Sequence, residues 1–190
     1  MLEPDDILGW MPFEDFNAIQ EICAKVSPYS TVVEIGTFCG RSTAQWAKCL
    51  PNSIIYTIDI HPHWDAGSWF KNNTNWGGKI ENFKGNILDT IEWVKVHYPN
   101  IINITAASTS IKHLNDIDIV FIDGNHSHET CYADINHWFT YLKPTGIMCG
   151  HDYSEVFPGV ISAVNAVAYA NNMWVKVRRP GQVWILSKDV

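Results

Sequence analysis

A chain of 190 residues, 46% hydrophobic and 17% charged, has the make-up of one ordinary folded domain and excludes disordered, collagen-like and coiled-coil architectures. A formal net charge of −7 argues against nucleic-acid binding, which needs Lys and Arg to neutralise phosphates. Five cysteines (Cys23, Cys39, Cys49, Cys131, Cys149) without paired short spacings, an acidic start and no apolar run near the ~20 residues of a membrane span argue against a disulfide framework, a zinc knuckle, export and membrane insertion, and lead us to expect a soluble cytoplasmic protein.

The elements follow in chain order. Apolar residues at Phe13, Phe16, Ile19, Ile22, Cys23 and Val26 lie on one face of a 3.6-residue period, which predicts an amphipathic helix over 13–26. Thr31 to Ile35 reads as a short buried strand, followed by a glycine loop and a helix over Arg41 to Cys49. Ile54 to Ile60, IIYTIDI, is a second strand rich in β-branched residues. The connection 61–78 is polar, studded with Trp64, Trp69 and Trp76, and carries His61 and His63; its length suits a lid over a binding site. A helix is predicted over Asn86 to His97, a strand over Ile101 to Ala106, another over Ile117 to Ile122, and a helix over Glu129 to Leu142 stopped by Lys143-Pro144. A short fifth strand follows at Gly146 to Cys149, then a helix over Pro158 to Asn171 with proline in its first turn. Trp174 to Arg178 and Val183 to Leu186 form a closing hairpin through Pro180-Gly181. Alternating strands and helices imply an α/β doubly wound, mostly parallel seven-stranded sheet with a C-terminal antiparallel hairpin. We expect a single domain over 1–190, with an N-terminal helical segment (1–30) and a core (31–190).

The stretch VVEIGTFCGRST, Val32 to Thr43, sits where open α/β sheets bind ligands, beyond the carboxyl end of a strand. A dinucleotide loop needs glycine at its second motif position so that backbone can approach a pyrophosphate; here that position is Phe38. No Gly-Lys-Ser/Thr follows, which excludes the phosphate loop of nucleotide hydrolases. Asp59 ends the second strand nineteen residues after Gly40, where a carboxylate can accept from both ribose hydroxyls, and Glu34 adds a second negative group suited to a cationic ligand. S-adenosyl-L-methionine meets these demands: adenosine, an ammonium, a sulfonium and no phosphate.

The segments VVEIGTFCGRST, IIYTIDI, IDIVFIDGNHSHE and DINHWFTYLKPTGIMCGHDY, with the closing hairpin, resemble the class I S-adenosylmethionine-dependent methyltransferases, most closely the small O-methyltransferase branch that includes macrocin-type sugar enzymes. The resemblance implies that Glu34, Gly36, Gly40 and Ser42 line the methionine part of the cofactor, Asp59 its ribose and the segment Ala106, Ala107 and Ser108 its adenine. Thr37, Phe38, Ile60 and Asp123 complete the expected cofactor contacts.

Asp123 and Asp152 end neighbouring strands about 4.8 Å apart, close enough to share one divalent cation, Mg²⁺ or Mn²⁺, with His151 as a third ligand. His126, three residues past Asp123, stands where sugar methyltransferases of the resembling branch keep a histidine base, so the expected catalytic residues are His126 and Asp123. The expected partner is a small hydroxylated acceptor such as a sugar or polyphenol, with homo-oligomer formation left open. Two rival readings are a cofactor-binding module without turnover and a metal-dependent hydrolase built on Asp123, His126, His151 and Asp152.

Overall fold

The computed structural model describes residues 2–61 and 77–188. Seven strands form one sheet: β1 (Thr31–Ile35), β2 (Ile54–Asp59), β3 (Ile101–Thr105), β4 (Ile117–Ile122), β5 (Leu142–Gly150), β6 (Trp174–Arg178) and β7 (Val183–Ser187), in the order β3-β2-β1-β4-β5-β7-β6. Pairing is parallel from β3 through β5, and β7 runs antiparallel to both β5 and β6. The chain builds outward from β1 through β2 to β3, then returns to β1's other side with β4. The switch point therefore lies between the carboxyl ends of β1 and β4, the crevice where such sheets bind ligands.

Alternation along the central strands feeds two cores. Val32, Ile55, Ile119 and Phe121 pack with α1 (Phe13–Cys23), α2 (Arg41–Cys49) and α3 (Ile87–His97), through Ile19, Trp46 and Ile91. Val33, Ile35, Val120 and Ile122 face α4 (His128–Phe139) and α5 (Pro158–Ala170), through Ile135, Trp138 and Val164. Leu2, Ile7, Leu8 and Met11 join the first core, so the segment ahead of α1 is bound to the sheet by apolar packing. None of the described helices is long and apolar enough to cross a membrane.

Local chemistry sets the helix ends. Asn86 caps α3 by accepting from Asp89 N at 2.8 Å, and Ser127 caps α4 by accepting from Thr130 N at 3.3 Å. α1 stops at Cys23 rather than the predicted Val26, because Lys25 N and Val26 N bond three residues back, to Ile22 O and Cys23 O, in a tightened last turn. α4 ends at Phe139, short of the predicted Leu142, and β5 starts at Leu142, ahead of the predicted Gly146. Leu142 pairs with Ile117, and the register then jumps to Ile119↔Ile147. Lys143-Pro144 thus falls in a bulge, where a proline that cannot donate to the ladder is tolerated.

Candidate functional site

The glycine loop leaves β1 at Gly36, whose φ is +92° and whose missing Cβ would lie 1.9 Å from the carbonyl oxygen of Asp123. Any side chain there would force apart the ends of β1 and β4, which are further tied by Asp123 N donating to Ile35 O at 2.7 Å. Asp59, at the end of β2, organises the rest of the loop. Its Oδ2 accepts from Thr37 N (2.9 Å) and Phe38 N (3.0 Å), and its Oδ1 from His61 N (3.0 Å). Two of the loop's amides are therefore committed to a carboxylate, which also repels anions. Phe38 takes a positive φ of 46° and stacks on Trp10, with centroids 5.1 Å apart.

Glu34 lies beneath this loop, fully buried. Its Oε2 accepts from Thr57 Oγ1 at 2.8 Å and from Thr43 Oγ1, while Oε1 has no hydrogen-bond partner among the described residues. Burial pushes its carboxyl up to about 7, against the hydrogen bonds of Ser42, Thr43 and Thr57. Near neutral pH the buried group therefore carries only part of a negative charge.

Beyond β4 and β5 three acidic and two imidazole side chains converge. His126 Nε2 lies 2.7 Å from Asp152 Oδ2, and its ring packs 4.1 Å from that of Phe157. The hydrogen bond to Asp152 raises the His126 pKa above its ordinary value, with burial acting the other way. His151 is buried: Nε2 meets Asp15 Oδ2 at 2.9 Å and Nδ1 meets Asp152 Oδ1 at 3.2 Å. Burial works against its proton, but Asp123, Asp15 and Asp152 outweigh it and raise the pKa well above the usual imidazole value. Asp152 shows the complementary shift: burial is overcome by the bonds from His126 and His151, which hold it well below the carboxylate range. Asp123 is pushed up to about 7, chiefly by burial and then by Asp152 and Glu34, with His151 and His126 opposing.

The predicted metal set was Asp123, His151 and Asp152. Asp123, His126 and Asp152 offer ligand atoms within 4.8 Å of one another, and His151 Nδ1 lies 3.7 Å from Asp123 Oδ1 and 3.2 Å from Asp152 Oδ1. Both ring nitrogens of His151 lie within hydrogen-bonding distance of carboxylates, Nε2 of Asp15 and Nδ1 of Asp152. The spacing of the other three fits one ion, and two carboxylates with an imidazole suit a transition ion better than Mg²⁺. Such an ion would have to break the His126–Asp152 bond.

All of this opens into one cavity of about 1160 Å³ at the switch point. Gly36, Thr37, Phe38, Ser42, Asp59 and Ile60 line it on the loop side; Ala107, Ser108, Asp123, His126, His151 and Asp152 line it on the other. Glu34 and Gly40 are not among its lining residues. Glu34 stands under the loop, and Gly40, at φ +83°, makes the left-handed turn into α2. The expected lid residues His63, Trp64, Trp69 and Trp76 lie outside the described residues.

The sequence reading did not reach several walls of this cavity: Trp10 and Met11 ahead of α1, Phe157 ahead of α5, and Gln182 in the β6–β7 turn. Arg41 and Asp15 hold two of those walls in place. Arg41 is 7% exposed; its guanidinium donates to the carbonyls of Met11 (2.9 Å), Asp5 (2.9 Å) and Ile7 (2.7 Å) and to Asp5 Oδ1 (2.8 Å). Asp15, fully buried, accepts from Gln182 N at 2.8 Å as well as meeting His151. Both had a signal. A cation in the first turn of α2 opposes the helix dipole and needs a partner elsewhere, and Asp15 sits on the apolar stripe of α1, four residues before Ile19.

Comparison with known proteins agrees with this geometry. A family described as a methyltransferase domain matches residues 33–153. An uncharacterized protein of Acanthamoeba polyphaga mimivirus is 30% identical over 146 residues, 72% of this chain; the chain spans 58% of that relative's length. Among solved structures, the TDP-rhamnose 3'-O-methyltransferase of calicheamicin biosynthesis superposes with a TM-score of 0.60 at 15% identity, covering 93% of this chain and 78% of that one. A precorrin-6y C5,15-methyltransferase from Geobacter metallireducens gives 0.63 at 14% identity, covering 91% and 86%. At those identities the likeness speaks for the Rossmann-like fold.

Proposed function

The chain belongs to the methyltransferase-domain family, and from that premise we propose that it transfers a methyl group from S-adenosylmethionine to a hydroxyl oxygen of a small acceptor. The observation that carries the cofactor half is the Asp59 carboxylate holding the amides of Thr37 and Phe38. With two amides committed to a carboxylate, the loop disfavours a diphosphate, whereas a sulfonium nucleoside gains from the carboxylates around it. A cavity of about 1160 Å³ exceeds one nucleoside and leaves room for an acceptor beside it.

The cofactor supplies an electrophilic methyl, and the acceptor oxygen forms the new bond to carbon as the carbon–sulfur bond breaks, its electron pair leaving on sulfur. With Nε2–H donated to Asp152, the lone pair of His126 is left on Nδ1, which takes the hydroxyl proton. Asp152 fixes the ring and stabilises the imidazolium that forms; His151, bonded to Asp15, fixes Asp152. Phe157 packs against the ring from the side. Much of the rate in this reading comes from holding donor and acceptor in line. That the calicheamicin enzyme is a sugar O-methyltransferase supports a sugar or polyphenol hydroxyl as acceptor. A divalent ion would sit on Asp123, His126 and Asp152 and polarise the acceptor oxygen; because it would turn His126 from base into ligand, the two roles exclude each other.

Calorimetry with S-adenosylhomocysteine, NAD and ATP, followed by a methyl-transfer screen over sugars and polyphenols with and without Mn²⁺, tests the reading. Micromolar binding of the S-adenosyl compound alone, with transfer to a hydroxyl, is expected. Preference for NAD or ATP overturns it, and cofactor binding without transfer to any acceptor leaves a binding module.

A further inference from the structure

A second cavity, of about 470 Å³, opens at the opposite end of the sheet, between the start of β5 and the end of β7. These strands pair at Cys149↔Ile185 and Gly150↔Trp184. Nearer the start of β5 the bulge at 143–146 draws the chain away, and the cavity occupies the gap, with Ile147 and Met148 on one side and Leu186 and Ser187 on the other.

Five of the chain's 13 Lys and Arg line this slot: Lys25 past the end of α1, Lys143 in β5, Lys176 and Arg178 in β6, and Lys188 past β7. No described lining residue is Asp or Glu. Two of the cations are matched from outside the slot, Lys143 by Asp118 at 2.8 Å and Arg178 by Glu21 at 3.1 Å. Lys25, Lys176 and Lys188 make no ion pair among the described residues. Three cations with no ion-pair partner among the described residues therefore line one slot in a chain of net charge −7. The interior is apolar, walled by Ile22, Phe139, Ile147 and Met173. A slot lined by both cations and apolar side chains suits a ligand with an anionic head and an apolar body, and several cations favour a dianion over a monoanion.

We propose that this slot is a second binding site, separate from the methyl-transfer cavity, for an organic monophosphate whose apolar group lies between β5 and β7. The phosphate would sit among Lys25, Lys176 and Lys188, which reach it with flexible stems lying along the walls. The site makes no contact with the cofactor cavity, so it stands whether or not the methyl-transfer reading does.

Three probes test it by calorimetry on the full chain: octyl phosphate, inorganic phosphate and octanol. Octyl phosphate is expected to bind at least tenfold more tightly than either of the others, and to weaken as salt rises. Lys176→Glu combined with Lys188→Glu is expected to weaken it at least tenfold, with affinity for S-adenosylhomocysteine unchanged. Should the double variant not fold, amide chemical shifts of the native protein decide: octyl phosphate should move 145–148 and 185–188 and leave 36–42 in place. No binding of octyl phosphate, equal binding of octanol or of inorganic phosphate, indifference to the charge reversals, or shifts centred on the glycine loop would each overturn the assignment.

Discussion

Replacing Asp59 separates a loop organiser from a simple ribose ligand. In the structure its carboxylate accepts three backbone N–H groups, those of Thr37, Phe38 and His61, at 2.9–3.0 Å. A hydrogen bond to a charged group is worth roughly 1.5–3 kcal/mol. Asp59 is half-buried, so water recovers part of each bond, and about 1 kcal/mol apiece is a fair figure, about 3 kcal/mol for Asp59→Ala. For a domain of this size that corresponds to a melting temperature lower by about 6–12 °C. The loop would have to be ordered by the ligand, so affinity for S-adenosylhomocysteine should fall about 100-fold, tenfold for each 1.4 kcal/mol. Asp59→Asn keeps one oxygen for Thr37 and Phe38 but turns an amide N–H₂ toward His61 N–H. It should fall between the other two, at about 1–2 kcal/mol. Differential scanning calorimetry and ligand titration on the three proteins measure both quantities. If Asp59→Ala binds more weakly yet melts at the native temperature, the carboxylate serves only the ligand and the account of the loop is wrong.

Gly36→Ala must relieve a Cβ 1.9 Å from Asp123 O at φ +92°; the dihedral alone costs about 1–2 kcal/mol and the clash more, so circular dichroism should show a melting point at least ~10 °C lower, and native-like melting would refute the close approach. Arg41→Met keeps the stem but strips the guanidinium from carbonyls of residues 5, 7 and 11, at a cost of about 2–4 kcal/mol, and should speed limited proteolysis within 4–11; an unchanged cleavage rate would show that apolar packing alone holds the segment. In an NMR titration the His126 pKa should lie above 6.5 and drop in Asp152→Asn, whereas an unmoved titration would disconnect the pair. The same pair predicts the pH dependence of stability. The raised His126 pKa contributes stability present below 6.5 and lost as pH rises through its folded value, and the depressed Asp152 contributes stability present above 3.8 and lost as pH falls. In the proposed reaction the base is the neutral imidazole, so transfer should instead rise with pH through the His126 pKa and flatten in His126→Gln, with cofactor affinity intact.

What the sequence alone determined is what depends on neighbours along the chain. The apolar, β-branched runs of β1, β2 and β4 and the alternation of strands with helices set the layered sheet. Gly36 and Gly40 marked the turn, because a positive φ and a missing side chain are properties of single residues. Helix ends were less legible: pairing of Leu142 with Ile117 decided where α4 gives way to β5, and that is a contact across the sheet. The site was decided only by the tertiary structure. Asp15 meets His151 across 136 positions and Gln182 across 167, which sets a carboxylate on the side of the His151 ring away from Asp152. Arg41 likewise finds its carbonyls 30 and 34 positions back along the chain, at Met11 and Ile7. Charge state and ligand capacity follow from which groups surround a side chain in space, and burial can move a carboxyl such as Asp123 by several pKa units without any change in the residues beside it.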